Sequence, residues 1–426
     1  MSSEWQEATW GDIATLEYGK SIRDYKNAGG DFPVYGTNGP IGWHHTPLCP
    51  CAGIVIGRKG AYRGVHYSQI PFFVIDTAFY LKPKIGLNIK WAYYSILTYD
   101  INGMDSGSAI PSTSRDDFYQ LPVRIPSLSE QQQVAETLGA LDDRITLLRE
   151  TNATLEAIAQ AMFKSWFVDF DPVRAKAEGL EPEGLDAATV ALFPDSFEES
   201  ELGLVPRGWK LVPFGKLLIH TIGGDWGDET PSEKNDTRVA IIRGTDIPDL
   251  QSGAANRVPL RYTSTKKLAT RKLQDGDLVL EVSGGSKDQP TGRALYLTEA
   301  LLGQFDCPVE PASFCRLLRP IDRNIGLLLA QHLTYIYGIG KTWEYQNQST
   351  GIANFQTTHF LESELVAVPP REVLVVFADV MRSIVDRGHL SQIQSLASLR
   401  DTLLPRLISG QLRLPEAEVM VEDVCA

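Results

Sequence analysis

The sequence predicts a mixed α/β (α+β) protein: two mixed α/β domains related by a pseudo-two-fold internal repeat, each followed by a long helix. Three observations predict it. Short β-type runs broken by Gly and Pro occur in both halves of the chain. Both halves close on similar proline-bounded sequences. A long segment with apolar residues at helical spacing follows each closing proline.

Each element has its own signal. Trp10-Gly11-Asp12-Ile13 opens the first half and Gly208-Trp209-Lys210-Leu211 the second. The strand-type runs of the first half include Pro33-Val34-Tyr35-Gly36, Gly53-Ile54-Val55-Ile56-Gly57 and Phe72-Phe73-Val74-Ile75. Those of the second include Val239-Ala240-Ile241-Ile242-Arg243 and Gly276-Asp277-Leu278-Val279-Leu280. The first domain closes through Ser106-Gly107-Ser108-Ala109 and Leu121-Pro122-Val123-Arg124-Ile125-Pro126. The second closes through Ser349-Thr350-Gly351-Ile352-Ala353 and Leu365-Val366-Ala367-Val368-Pro369-Pro370. The expected organisation is a domain at 1–127, a helix at 128–170, a connector at 171–206, a domain at 207–370, a helix at 371–414 and a tail at 415–426.

The first helix carries the clearest pattern. Ser129 with Gln132 fits a capping box. Val134, Leu138, Leu141, Ile145, Leu148, Leu155, Ala159, Met162 and Trp166 then recur at steps of four and three, a coiled-coil seam. Asn152 is its one polar position, and a buried Asn there fixes register at some loss of stability. The alternative is an ordinary amphipathic helix on a globular core. The second helix starts near Glu372 and carries Val373, Phe377, Val380 and Ile384, then Leu390, Ile393, Leu396, Leu399, Leu403 and Leu407. Its register slips around Gly388-His389, and Pro405 is expected to kink or end it. The connector from Asp171 to Glu201 is acidic, carries three prolines and is expected to be extended.

Charge bounds the function. The 426 residues carry a net charge of −13, unusual for a protein that faces phosphate. The acid is concentrated, however: residues 126–200 hold 15 Asp and Glu against 5 Lys and Arg, while residues 1–125 hold 11 of each. Basic stretches in the two domains remain able to meet an anion. The N-terminus lacks the pattern of a signal peptide, and no run is long enough to span a bilayer. A cytoplasmic protein without a membrane partner is expected. Five cysteines make no disulfide framework. Cys49 and Cys51 follow His44 and His45, but no second ligand pair of zinc spacing follows, so no metal site is expected.

Several segments resemble the specificity subunit of type I restriction–modification enzymes. Residues 162–173 (MFKSWFVDFDPV), 192–195 (LFPD), 201–209 (ELGLVPRGW) and 399–410 (LRDTLLPRLISG) are the most specific; residues 55–61 and 75–81 add to them. The resemblance implies two target recognition domains, each reading one half of a bipartite, asymmetric site in double-stranded DNA. It implies that the helices pair as an antiparallel coiled coil, which sets the gap and docks two methyltransferase subunits. Restriction subunits, which are helicase-nucleases, complete the complex. The chain itself is then a non-catalytic subunit that binds no cofactor; S-adenosylmethionine, ATP and Mg belong to its partners.

The residues agree with a non-catalytic role. Val368-Pro369-Pro370-Arg371 lacks the amide or acid and the aromatic of an adenine methyltransferase motif. Gly340-Lys341-Thr342 lacks the first glycine of a phosphate-binding loop, since that position is Tyr335. Contact with phosphate is expected from Arg257, Arg261, Lys266, Lys267, Arg271 and Lys272, a stretch with no acid between Gln251 and Gln274. Arg243, Lys287 and Arg293 are further candidates. Base reading is expected from Tyr35, Thr37, Asn38, Arg58, Lys59, Tyr62 and Arg63 in the first domain, and from Tyr345, Asn347, Gln348, Asn354 and Gln356 in the second. The rival reading is a non-enzymatic, protein-binding scaffold whose coiled coil is a dimer seam.

Overall fold

The computed structural model describes all residues except 1–4, 24, 26–28, 105–109, 201–202, 256, 287, 350–351, 391 and 426. The chain forms two compact units. One comprises Met1–Ile145 with Ser395–Ala426, the other Thr146–Gln394. Among the described residues, no helix is long and apolar enough to cross a membrane.

Among the described residues the first unit holds nine strands: β1 (Gln6–Thr9), β2 (Ala14–Tyr18), β3 (Phe32–Gly36), β4 (Gly39–His44), β5 (Gly53–Gly57), β6 (Val65–Ser68), β7 (Phe73–Val74), β8 (Ala78–Pro83) and β9 (Pro122–Ile125). They form a four-stranded sheet in the order β2-β8-β5-β6, a three-stranded sheet β4-β3-β7 and the pair β1-β9. Strand β5 is buried along its whole length, as its unbroken Ile-Val-Ile run requires of a central strand. In the smaller sheet β7 runs parallel to β3, and β4 antiparallel to it.

The second unit repeats this plan. Its strands are β10 (Phe197–Ser200), β11 (Gly203–Pro206), β12 (Lys210–Pro213), β13 (Leu218–Gly223), β14 (Thr237–Ile242), β15 (Leu260–Thr263), β16 (Leu278–Glu281), β17 (Ser283–Gly284), β18 (Ala294–Tyr296), β19 (Val309–Pro311), β20 (Cys315–Pro320), β21 (Gln346–Ser349), β22 (Ile352–Phe355) and β23 (Leu365–Val368). The sheet β13-β20-β16-β18 has the order of β2-β8-β5-β6; β15-β14-β19 has that of β4-β3-β7, again with one parallel pair; and β12-β23 matches β1-β9. The match corrects the expected alignment of tryptophans. Trp10 follows β1, whereas Trp209 precedes β12, so the residue in the place of Trp10 is the buried Phe214. Among the described residues, the sheet β17-β22-β21 has only the Lys59–Ser112 bridge as its counterpart in the first unit.

A 40-residue helix, Leu128–Phe167, leaves the first domain. Its cap lies two residues earlier than expected. The Ser127 hydroxyl donates to the Glu130 carboxylate at 2.8 Å, the Ser127 N–H donates to it at 3.0 Å, and the Glu130 N–H donates back to the hydroxyl at 3.3 Å. Ser127 wins over Ser129 because its partner is a carboxylate, which the positive helix end also attracts. In the first unit Val134, Leu138, Leu141 and Ile145 are buried, as are Leu396, Leu399, Leu403 and Leu407 of the helix Gln392–Ile408. An Arg400–Asp142 ion pair of 2.7 Å joins the two helices, and the Tyr94 hydroxyl donates to Asp142 at 2.6 Å.

In the second unit Phe163, Trp166 and Phe167 pack around Phe377 of the helix Arg371–Gly388, with ring centroids 4.6–6.4 Å apart. Leu148, Leu155 and Met162 are half-buried. Asn152 lines a cavity of about 250 Å³ with Glu156, Gln331 and His389. Burial pushes the His389 imidazole down to about 4, so it is neutral at pH 7. Val380, expected in the seam, is 39% exposed; Met381 one position later is buried instead, because the helix is not wound to a strict heptad. Ile393 is buried, while Leu390, at the break between the helices, is exposed. Pro405 does not end its helix, which continues to Ile408; so near the last turn a missing N–H forfeits only one bond.

The acidic connector is folded, not extended. It forms the helices Asp171–Ala177 and Ala187–Leu192 and the β10–β11 hairpin. Pro172 sits in the first turn of its helix, where proline is favoured. Phe170, Val173 and Phe193 join Trp166 and Trp209 in the core. Composition concealed this because the acids that dominate the segment are mostly exposed, while a few apolar residues anchor it.

Candidate DNA interface

In the first unit two loops meet at one end of the sheets. The β3–β4 turn and the loop after β5 are pinned together by Thr37, whose hydroxyl lies 2.8 Å from both the Lys59 and the Thr77 carbonyl. The Gly64 N–H donates to the Thr37 carbonyl at 3.1 Å. A side chain at Gly57 would sit 2.7 Å from that carbonyl, so only glycine permits the approach. The Asn38 amide faces the carbonyls of Thr37 and Tyr62. Lys59 and Tyr62 project from the ridge, and Tyr62 is 79% exposed.

Beside the ridge lies a cation–aromatic stack. The Arg58 guanidinium sits 5.0 Å from the Tyr18 ring centroid and 5.9 Å from that of Phe79, while Arg115 lies 4.6 Å from the Tyr18 centroid. Tyr18 is exposed. A stacked guanidinium keeps its charge and donors on a pre-aligned plane, which suits phosphate or a base edge. Tyr18 and Arg115 were not foreseen. No local pattern marks them, since Arg115 reaches the ring from 97 positions away.

Two candidates of this domain are interior. Arg63 is 3% exposed; its guanidinium donates to the carbonyls of Gly60, Asn102 and Met104 at 2.6–3.2 Å. Tyr35 is buried against Phe72 and His66. Both brace the loops and do not present a group to solvent.

In the second unit the basic stretch maps to β15 and the short helix Thr265–Arg271. The Lys266 and Lys272 side chains are exposed and make no hydrogen bond or ion pair to the described residues, while the Lys272 carbonyl accepts from Arg319 at 3.0 Å. Lys267 binds Asp225 at 2.9 Å, and Arg271 donates to the Gly223 carbonyl at 3.0 Å. Burial alone would raise the Asp225 carboxyl, but Lys267 holds it below the ordinary range. Arg257 pairs with Asp249 at 3.2 Å and remains exposed. Arg261 stacks on the exposed Trp226 ring at 5.0 Å and reaches Glu229 at 3.3 Å. Next to this group Glu310 is fully buried, and neither carboxylate oxygen closes a hydrogen bond. Burial first, and the Asp225 charge second, push its carboxyl up to about 7.

Three further candidates are tied into the fold. Arg293 makes two bonds of 2.9 and 2.5 Å to Glu281, which is 2% exposed. Arg243 grips Asp246 at 2.9 and 2.7 Å. Tyr345 is buried, donating to Glu364 at 2.5 Å, and Glu364 also takes Lys341 and His332 at 2.7 Å each. Gly340, with φ of 76°, starts a single 3-10 turn through Lys341, so the Gly340-Lys341-Thr342 string is a structural turn. Asn347 and Asn354 are exposed and face each other across β21–β22; Gln356 follows the hairpin, half-buried. The Gln348 side chain and Lys287 lie outside the described residues, as do Ser106-Gly107-Ser108-Ala109 and Thr350-Gly351. Among the described residues no group of three or more His, Cys, Asp or Glu is placed to hold a metal ion, and burial pushes the Cys49 thiol up to about 12, which keeps it protonated.

Residues 2–157 match the family model described as the type I restriction modification DNA specificity domain. The specificity subunit of the type I restriction enzyme HindI from Haemophilus influenzae is 27% identical over 347 residues, covering 71% of either chain. That of MjaIX from Methanocaldococcus jannaschii is 22% identical over 346 residues, covering 78% of this chain and 71% of the relative. The crystal structure of the type I restriction–modification S subunit from M. genitalium aligns over 96% of both chains with a TM-score of 0.58 at 15% identity, a likeness of fold.

Proposed function

We propose how this chain, which belongs to the type I restriction–modification specificity subunits, reads DNA: each of its duplicated domains recognises one half of a bipartite, asymmetric site. The subunit confers DNA specificity and is not itself catalytic. The observation that carries the proposal is the matching order of the shared sheets in the two units, each with an arginine stacked on an exposed aromatic ring. A duplicated scaffold with different loops reads two different short sequences in the same manner. The first domain presents Asn38, Arg58, Lys59, Tyr62 and Arg115; the second presents Lys266, Lys272, Arg261 and the β21–β22 hairpin. Residues 1–127 and 207–370 are then the target recognition domains.

The helices supply the spacing. The start of Leu128–Phe167 packs with residues 395–408, and its end with Arg371–Gly388, the pairing order of an antiparallel coiled coil. Forty residues at ~1.5 Å each give about 60 Å, enough to span the ~34 Å of one DNA turn. Exposed apolar residues on these helices, such as Leu147, Ile158 and Val380, support docking of two methyltransferase subunits, to which restriction subunits add. S-adenosylmethionine, ATP and Mg serve those partners, in the cytoplasm.

The test is to map methylated adenines across the genome of a host carrying the methyltransferase subunits with and without this chain. A motif of two short blocks around an unread gap, present only with the chain, is expected. A continuous motif, or one that persists without the chain, would exclude the proposal.

A further inference from the structure

We infer that the β21–β22 hairpin reads adenine, through the carboxamides of Asn347 and Asn354; the inference rests on the DNA-reading role proposed above. The hairpin and β17 make a three-stranded sheet, of which the described residues of the first unit show only the Lys59–Ser112 bridge. The two domains thus differ here in sequence on a shared scaffold, the kind of place that makes two copies of one domain read different sequences.

The pleat decides which side chains face out. Ala353 and Phe355 are buried, and Asn354 between them is exposed together with its ladder partner Asn347. The two asparagines are direct partners in the ladder, and Ser283 of β17 stands on the other side of Asn354. Neither carboxamide makes a hydrogen bond to the described residues. The foot of the hairpin is held rigidly. Tyr345, Phe355 and Phe360 stack on one another with centroids 5.1–6.0 Å apart. The Gln356 N–H donates to the Tyr345 carbonyl at 2.7 Å, the Phe355 N–H to that of Val282 at 2.9 Å, and the Thr291 N–H to the Gln346 side chain at 2.9 Å. A pair of neutral amides on a fixed ribbon is thus offered to solvent.

The chemistry of that pair matches one base. A carboxamide offers a donor and an acceptor in one plane, and adenine presents N7 and N6–H₂ in complementary order in the major groove. Phosphate would call for cations instead. A two-stranded ribbon fits the major groove. Directly opposed side chains start ~5 Å apart, close enough to address neighbouring base pairs.

The experiment uses the full chain with its methyltransferase subunits and the same methylated-adenine map. Three variants are compared: Asn347→Ala, Asn354→Ala and Asn354→Asp, with melting curves for each. Alanine should make one position of one half-site degenerate, a loss of about ten-fold in discrimination, and leave the other half-site unchanged. Asn354→Asp is nearly isosteric but can only accept, so its position should change from adenine to cytosine. A wild-type motif in all three variants overturns the inference. So does an equal loss at every position with unchanged melting, which would make the hairpin a backbone clamp. A wild-type complex whose motif does not depend on this chain would fail earlier and strike the DNA-reading role itself.

Discussion

Arg293 and Lys272 carry the same charge, yet the structure gives them opposite work. Arg293 neutralises Glu281, which has almost no solvent to fall back on. Arg293→Ala should therefore lower stability by about 3–5 kcal/mol in urea denaturation, through the stranded carboxylate, and leave the salt dependence of DNA binding unchanged. The Lys272 ammonium has no partner among the described residues, and only its backbone is held, so Lys272→Ala should keep stability within about 0.5 kcal/mol and reduce the salt slope by about one. Denaturation and binding at several salt concentrations separate the two; exchanged outcomes would reassign both residues. At this scale the sequence shows residue type but not environment. The run from Arg257 to Lys272 was legible as basic, whereas the Asp225 that occupies Lys267 lies 42 positions upstream. Arg63 is expected to read a base from its residue type; its burial among three carbonyls is visible only once the loop is folded.

At the scale of elements, the helices were legible and the sheets were not. Helical spacing is written locally, so the seam from Val134 to Ile145 could be read directly. Sheet order depends on which distant runs meet, and nothing local announces that β7 lies parallel to β3 or that Phe214 replaces Trp10. Helix ends fall between these cases. Ser127 and Ser129 both stand three residues before a Glu or Gln, so the motif alone allows two starts. The hydrogen bonds choose Ser127. Ser127→Ala should cost about 1 kcal/mol of stability, while Ser129→Ala should cost little. Equal effects in chemical denaturation would mean that the long helix frays between the two starts.

For the whole molecule the question is whether spacing and reading are separable properties. The two compact units meet in sequence inside the long helix, between Ile145 and Thr146, and Leu147 beside this point is exposed. On the proposed role of the helices, length added at this junction changes the gap between the half-sites. Seven residues inserted after Leu147 add about 10.5 Å of rise and fall only ~20° short of two full turns, so the buried faces on either side keep their orientation. At ~3.4 Å per base, the unread gap should lengthen by at most about three base pairs. The half-site letters should not change, because no loop that presents Asn38, Tyr62, Lys272 or Asn354 is touched. Methylated-adenine mapping of the insertion variant reads both properties in one experiment. A longer gap with altered letters would mean that the domains are read-coupled through the helices, and an unchanged gap would remove the helix pair as the element that sets the spacing.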